Sequence, residues 1–149
     1  MKTGETAENF SLIDQHGNNF ILYENLDKMV LLVFYPHDNS PVCTRQLKNY
    51  NLNKAKFEKY GIRIIGVNPG SYSSHLSFCS SFGSNIRILS DDKKDIAKRF
   101  YAINFLGITK RKIVLIGKDK KVLFQKTTPS FVYLKTSSIL SSLKKLNII

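Results

Sequence analysis

The sequence has few cysteines, no long apolar run and a shortage of acidic residues. Two cysteines among 149 residues are too few for a disulfide scaffold, and with three scattered histidines they show no zinc-site spacing. The longest uncharged apolar run, residues 29–35, is far below the roughly 20 residues that cross a membrane. The first residues are polar and acidic, without the apolar core of a signal peptide. We therefore expect a cytoplasmic protein with no membrane association and no metal or organic cofactor.

The shortage of acidic residues leaves a strongly basic chain. It has 23 Lys and Arg against 11 Asp and Glu, a formal charge of +12. Residues 1–40 hold two lysines and six acidic residues, a net −4, so the remainder carries +16. Such an excess is found in proteins that bind nucleic acids or anionic surfaces. No arginine-aromatic stripe or nucleic-acid motif accompanies it, so we favour lysines on solvated faces and expect no nucleic-acid partner.

The apolar pattern alternates between strands and helices along one domain of residues 1–149. Hydrophobic residues make up 42% of the chain, which is enough for a core. The pattern predicts strands at 10–13, 19–22, 29–35, 63–67, 86–89, 113–116 and 122–125, and helices at 41–60, 73–82, 91–100 and from a cap at Thr136 onward. This order indicates an α/β fold with a mixed central β-sheet flanked by helices. The layout resembles the thioredoxin-like fold, although other α/β folds share the order.

Three of the predicted helices have one apolar face each. The residues expected on these faces are Leu47, Tyr50 and Phe57 together with Cys43 in the first helix, Leu76, Cys79 and Phe82 in the second, and Ile139, Leu140, Leu143 and Leu146 in the last. Gly83 is expected to end the second helix.

The segment from Tyr35 to Thr44 is the most informative for chemistry. A buried strand ends at Pro36, a short loop follows, and Cys43 falls in the first turn of a helix. Free N–H groups and the helix dipole at that position stabilise a thiolate, which is the nucleophilic form of cysteine. Ser40, three residues earlier, supplies a hydroxyl beside the sulfur. The alternative is that Cys43 is a small buried apolar residue packed with Leu47.

The spacing Pro36-x-x-x-Ser40-x-x-Cys43 resembles the active-site signature of the peroxiredoxins, P-x-x-x-T/S-x-x-C. Further segments resemble that family in order and spacing: Gly4 to Leu12, Ser74-His75-x-x-Phe78, Leu89-Ser90-Asp91 and Arg111-x-x-Val114-x-Ile116. The short chain is most similar to the bacterioferritin-comigratory, or PrxQ, branch.

The resemblance implies a thiol peroxidase that reduces hydrogen peroxide and organic hydroperoxides. Cys43 would be the peroxidatic cysteine that becomes a sulfenic acid. Arg111 would hold the thiolate and the peroxide oxygens, Ser40 would orient them, Pro36 would exclude water, and the Cys43 N–H would bind oxygen in the transition state. Without the family spacing, Arg111 would be one more solvated cation in the run from Lys110 to Lys112.

Two departures from the family pattern concern the helix after Cys43. Gln46 stands where a glutamate is common, so Arg111 loses a charged partner. Lys48 stands where many PrxQ members carry their resolving cysteine, which leaves Cys79 as the internal candidate. The family then implies an intramolecular Cys43–Cys79 disulfide that a thioredoxin-like or glutaredoxin-like dithiol reduces. The alternative is a packed, structural Cys79 and a one-cysteine cycle.

The remaining predictions concern the histidines and the partners. We interpret His75 as helix-entry scaffolding rather than a catalytic base, and His37 as peripheral to the active loop. The resemblance implies a monomer whose partners are the hydroperoxide substrate and the dithiol reductant. A different class of function, a non-catalytic thioredoxin-like binding or holdase module with a basic contact surface, stays open at this point.

Overall fold

The computed structural model describes all residues from Met1 to Ile149. Seven strands are present: β1 (Ser11–Asp14), β2 (Asn19–Ile21), β3 (Met29–Phe34), β4 (Ile62–Asn68), β5 (Arg87–Ser90), β6 (Arg111–Ile116) and β7 (Val122–Thr128). Five α-helices accompany them: α1 (Pro41–Leu52), α2 (Lys54–Lys59), α3 (Tyr72–Phe82), α4 (Asp95–Arg99) and α5 (Thr136–Lys145). Each of these helices is too short or too polar to span a lipid bilayer.

All seven strands form one mixed sheet in the order β2-β1-β5-β4-β3-β6-β7. Strands β3, β4 and β5 are parallel, whereas β6 runs antiparallel to β3. The apolar run that predicted a strand covered on both faces is β3, near the middle of the sheet. The predicted α/β fold with a mixed central sheet is confirmed.

Alternate residues of β3 enter two separate hydrophobic clusters, one on each face of the sheet. Val30, Leu32 and Phe34 pack with α4 and the N-terminal segment. Leu31 and Val33 face the other way and pack with residues of α1, α2, α3 and α5. This second cluster contains both Cys43 and Cys79, so the two cysteines share one face of the sheet.

The helix predicted over residues 41–60 is interrupted at Asn53. The side chain and the backbone N–H of Asn53 both donate to the Asn49 carbonyl, at 2.7 and 3.1 Å. Asparagine side chains compete in this way with helical hydrogen bonding and favour helix ends. The chain restarts as α2, and Phe57 still reaches the predicted apolar face.

The apolar face predicted for α3 is confirmed at Cys79 and Phe82 and wrong at Leu76, which is 41% exposed. His75 and Phe78 complete the buried face at the helical spacing i, i+3, i+4, i+7. The sequence pattern placed Leu76 on this face instead because a histidine occupies its first position. Gly83 ends the helix in a left-handed conformation (φ 67°), as predicted.

Two further helix predictions need correction. The segment predicted as a helix over 91–100 is helical only from Asp95 to Arg99, as α4. Asp91 lies in the turn before α4, and its carboxylate accepts the N–H groups of Ile96 and Ala97. Thr136 does not cap α5: its N–H and hydroxyl both donate to Asn49 Oδ1, which ties α5 to α1. Leu146 lies beyond α5 and is 57% exposed rather than part of the apolar stripe.

We predict that Leu47→Ala destabilises the fold by about 2–5 kcal/mol, since this fully buried α1 residue would leave a cavity against the sheet. Leu52→Ala, in the same helix but 83% exposed, is the matched control and should change the free energy of unfolding by less than about 0.5 kcal/mol. Urea unfolding of both variants measures the difference. Equal losses would contradict the packing of α1 described above.

Candidate active site

Cys43 lies in the first turn of α1, where Ser40 caps the helix. Ser40 has an extended backbone and its Oγ accepts the Cys43 N–H at 3.2 Å, while Pro41 occupies the first helical position. Serine before a proline is a strong helix-start signal, because the hydroxyl replaces a missing backbone acceptor and proline needs no donor there. The cap orients Cys43 and leaves the hydroxyl proton of Ser40 free to donate.

Arg111 is the cation that meets the cysteine. It begins β6, is 3% exposed, and its Nη2 donates to Cys43 Sγ at 3.1 Å. The Ser130 carbonyl, after β7, accepts from Nε at 3.2 Å and from Nη2 at 2.9 Å. These contacts hold a permanent positive charge next to the sulfur of Cys43. The structure therefore brings together Ser40, Cys43 and Arg111 as the sequence predicted, but Ser130 acts through its backbone and gave no sequence signal.

Gln46 orients the guanidinium without a charge of its own. Its Oε1 accepts from Arg111 Nη1 at 2.6 Å, and its Nε2 donates to Tyr50 Oη at 3.2 Å. Tyr50 in turn donates to the Leu134 carbonyl at 2.7 Å. Burial raises the pKa of Tyr50, so the phenol stays protonated and keeps this donor role. Although Gln46 carries no charge, this chain of hydrogen bonds orients Arg111.

A surface cavity of about 490 Å³ opens beside Arg111. It is lined by Pro36, His37, Asn104, Ile108, Thr109, Lys110, Arg111, Thr127, Thr128, Pro129 and Ser130. Cys43 has no exposed surface and is not part of the wall. Arg111 is thus the residue common to the cavity wall and to the contacts of Cys43, and Pro36 lies in the same wall. His37 is exposed at this cavity.

Cys79 is not in the Cys43 site but is buried in α3. It is a free thiol, 3% exposed, whose Sγ lies 3.7 Å from the Ile86 carbonyl and 3.9 Å from Gln15 Nε2. Burial raises the pKa of Cys79 to about 11. The two cysteines therefore have opposite surroundings, a guanidinium at one and an apolar helix face at the other.

His75 is fully buried, and its Nδ1 lies 2.7 Å from Asp38 Oδ2. It lies at the start of α3, in agreement with the scaffolding interpretation, and away from the contacts of Cys43. Asp38 was missed by the sequence analysis, although its position in the loop before Cys43 is the available signal.

Comparison with known proteins identifies the family. The AhpC/TSA family model matches residues 3–125. The chain belongs to the AhpC/TSA family of peroxiredoxins. It is 33% identical over 119 residues to a Helicobacter pylori protein named "Putative peroxiredoxin bcp", covering 80% of this chain and 74% of that protein. It is 30% identical over 130 residues to the chloroplastic peroxiredoxin Q of Triticum aestivum, covering 87% of this chain and 58% of the wheat protein.

Solved peroxiredoxin structures share the fold over nearly the whole chain. The peroxidoxin BcpB from Mycobacterium tuberculosis matches with a TM-score of 0.85 and 26% identity, covering 100% of this chain and 98% of that one. A cysteine-to-serine mutant of PrxQ from Xylella fastidiosa matches with a TM-score of 0.86 and 25% identity, covering 99% and 96%. The resemblance to the Bcp and PrxQ peroxiredoxins, the thioredoxin-like fold and the interpretation as a thiol-dependent peroxidase are confirmed.

The raised pKa of Cys79 predicts a loss of stability in alkali. The unfolded thiol ionises near pH 9 and the folded one near pH 11, so the stabilisation is complete below pH 9 and is lost between these values. From pH 8.5 to pH 10.5, the reduced peroxiredoxin should lose about 2 kcal/mol more unfolding free energy than Cys79→Ala. Urea titrations with excess reductant measure this, and parallel pH profiles of the two proteins would contradict it.

Proposed function

We propose that Cys43 is the peroxidatic cysteine of this peroxiredoxin. Its thiolate attacks the terminal oxygen of a hydroperoxide, an S–O bond forms and the O–O bond breaks. Sulfur gives up two electrons and becomes the sulfenic acid, while the alkoxide or hydroxide takes a proton from solvent and leaves as alcohol or water. The observation that carries this assignment is the 3.1 Å hydrogen bond from Arg111 Nη2 to Cys43 Sγ.

Arg111 and Ser40 are proposed to serve the transition state. Negative charge moves from sulfur to the leaving oxygen, and the fixed guanidinium lies where it can follow that charge without reorganising. The Cys43 N–H donates to Ser40 Oγ at 3.2 Å, so the two groups lie side by side. A peroxide oxygen would accept from the Ser40 hydroxyl and would share the Cys43 N–H with Ser40 Oγ. Both roles need a rigid loop, which Ser40 provides as the helix cap.

Pro36 is proposed to exclude water from the sulfur while the cavity beside Arg111 admits the substrate. Pro36 is half-buried and forms part of the cavity wall. The cavity volume of about 490 Å³ is large enough for hydrogen peroxide and for organic hydroperoxides. We infer that both substrate classes are reduced.

Cys79 is proposed as the resolving cysteine. It attacks the Cys43 sulfenic acid, forms the Cys43–Cys79 disulfide and releases water. We further propose, from the resemblance to the PrxQ branch, a monomer of one peroxiredoxin domain, residues 1–149. The disulfide would be reduced by a thioredoxin-like or glutaredoxin-like dithiol, which a reducing compartment such as the cytoplasm supplies.

A one-cysteine cycle is the second candidate, and the surroundings of Cys79 favour it. A thiol that is 3% exposed and has a pKa of about 11 is a poor nucleophile in the folded state. In that case Cys79 is a packed core residue, and an external thiol reduces the sulfenic acid directly.

We predict that one equivalent of hydrogen peroxide removes two hydrogens from the mass of the reduced monomer. The disulfide accounts for this loss, and Cys79→Ser should abolish it. Intact mass spectrometry without added reductant measures the outcome. Gain of one or two oxygens by the unmodified chain would support the one-cysteine cycle, and a mass that does not change would overturn the assignment of Cys43.

We predict that Gln46→Ala slows sulfenic-acid formation about tenfold, because Arg111 would lose the acceptor that fixes Nη1. Gln46→Glu keeps an acceptor for Arg111 and is the matched control, expected to stay within about threefold of the unmodified protein. The second-order rate constant for peroxide with pre-reduced protein measures both. An unchanged rate in Gln46→Ala would mean that the Ser130 carbonyl orients Arg111 by itself.

A further inference from the structure

The carboxylate of Asp38 receives three short hydrogen bonds from two separate parts of the fold. Tyr35, at the end of β3, donates to Oδ1 at 2.6 Å. Ser74 and His75, in the first turn of α3, approach Oδ2 at 2.6 and 2.7 Å. We call these four residues the Asp38 clasp. It joins the loop that precedes α1 and Cys43 to the helix that carries Cys79.

Most of the clasp is shielded from water, although Ser74 is half-buried and lines a surface cavity together with Asp38. The Asp38 side chain is 5% exposed and His75 is fully buried. Burial alone would raise the pKa of the Asp38 carboxyl, but the hydrogen bonds from His75, Ser74 and Tyr35 bring it below its ordinary value. The carboxylate is therefore ionised, and an ionised carboxylate only accepts, so His75 Nδ1 carries the proton.

Only one of the two ring nitrogens of His75 has a hydrogen-bond partner. Its Nε2 is buried and has no hydrogen-bond partner. A buried polar atom without a partner is unfavourable, which offsets part of what the Nδ1 hydrogen bond contributes.

Gly70, between β4 and α3, leaves space for the clasp because it has no side chain. A Cβ on Gly70 would lie 3.2 Å from His75 Cε1 and 3.6 Å from Asp38 Oδ2. Asn68, at the end of β4, donates to the Tyr35 carbonyl at 2.8 Å and accepts the Gly70 N–H at 2.8 Å. The β4–α3 connection is therefore fixed against the Cys43 loop at the same place.

The clasp lies close in sequence to both cysteines, in the loop before α1 and in the first turn of α3. Asp38 precedes Cys43 by five residues, and Ser74 precedes Cys79 by five. Disulfide formation needs the two Cα atoms within about 4.4–6.8 Å of each other with the sulfurs exposed to one another. Both thiols are buried within separate helices, so α1 and α3 have to loosen before they bond.

We propose that the Asp38 clasp is a positioning device that limits the rate at which Cys79 reaches the oxidised Cys43. The proposal rests on Cys79 being the resolving cysteine. While the clasp holds, the Cys79 thiol stays packed; when it opens, the loop and α3 separate together. The Cys79 sulfur then attacks the Cys43 sulfenic sulfur, the S–O bond breaks, and the hydroxide takes the thiol proton to leave as water.

His75→Phe and His75→Asn separate the hydrogen bond from the packing. Phenylalanine fills the space without a donor, whereas the asparagine amide places a donor near the Nδ1 position. After a peroxide pulse, His75→Phe should form the Cys43–Cys79 disulfide about tenfold faster than the unmodified protein, and His75→Asn within about threefold of it. Sulfenic-acid formation should stay within about threefold in both, which a general disturbance of the site would not allow.

Quenched-flow mass spectrometry follows both steps. Slower disulfide formation in His75→Phe, or equal rates in the two variants, would overturn the proposal. If His75→Phe does not fold, Ser74→Ala removes one bond of the clasp at a partly exposed position and should accelerate disulfide formation about threefold.

A second measurement keeps the clasp testable if no disulfide forms. In a Cys43→Ser background, the labelling rate of Cys79 by a maleimide reports the opening of α3 without any peroxide chemistry. Adding His75→Phe to this background should raise the labelling rate about tenfold, whereas adding His75→Asn should leave it near that of Cys43→Ser alone. If His75→Phe raises the labelling rate but the chain with Cys43 never forms the disulfide, Cys79 is not the resolving cysteine and the clasp still controls the opening of α3. An unchanged labelling rate would refute the clasp.

Discussion

Arg111 carries a permanent positive charge in a place that water hardly reaches, and the active site depends on how that charge is satisfied. An unpaired buried cation costs far more than a single hydrogen bond returns. The Ser130 carbonyl and the Gln46 amide are the neutral acceptors of Arg111, and Nη2 donates both to Ser130 and to Cys43. Because the neutral partners do not cancel the charge, it remains available to the sulfur.

The two cysteines show how one hydrophobic cluster can hold thiols with different neighbours. Both belong to the cluster on the same face of the sheet. Cys43 is at a helix start beside a cation, whereas Cys79 is a full turn or more inside α3 among apolar side chains and a carbonyl. Neither thiol is accessible, since Cys43 has no exposed surface and Cys79 is 3% exposed, so the two differ in their neighbours and not in their exposure.

Local sequence signals predicted the parts of the site that local chemistry determines. The helix start at Pro41 placed Cys43 in the first turn with Ser40 beside it, and the apolar run predicted the strand over 113–116, which begins two residues earlier at Arg111. Contacts between distant segments were not predictable in this way. Ser130 contributes a carbonyl that any residue has, and Asp38 gains its meaning only from Ser74 and His75, which are 36 and 37 residues away. The error at Leu76 in α3 has the same cause, since His75 is buried against Asp38 and the apolar periodicity does not reveal that contact.

Consecutive residues of β6 face opposite sides of the sheet, so the neighbouring cations Arg111 and Lys112 lie on different faces. Ile113 and Leu115 face the cluster that holds Cys43, and so does Arg111, two residues earlier. Lys112 faces the opposite side, where its Nζ donates to the Phe100 carbonyl at 2.6 Å and burial lowers its pKa. A slip of one residue in the pairing with β3 would exchange lysine for arginine at the sulfur. Lysine has no planar fork to hold two acceptors and a thiolate at once. An insertion in the loop before β6 is therefore far better tolerated than one within the strand, where the alignment of backbone hydrogen bonds determines the chemistry of the site.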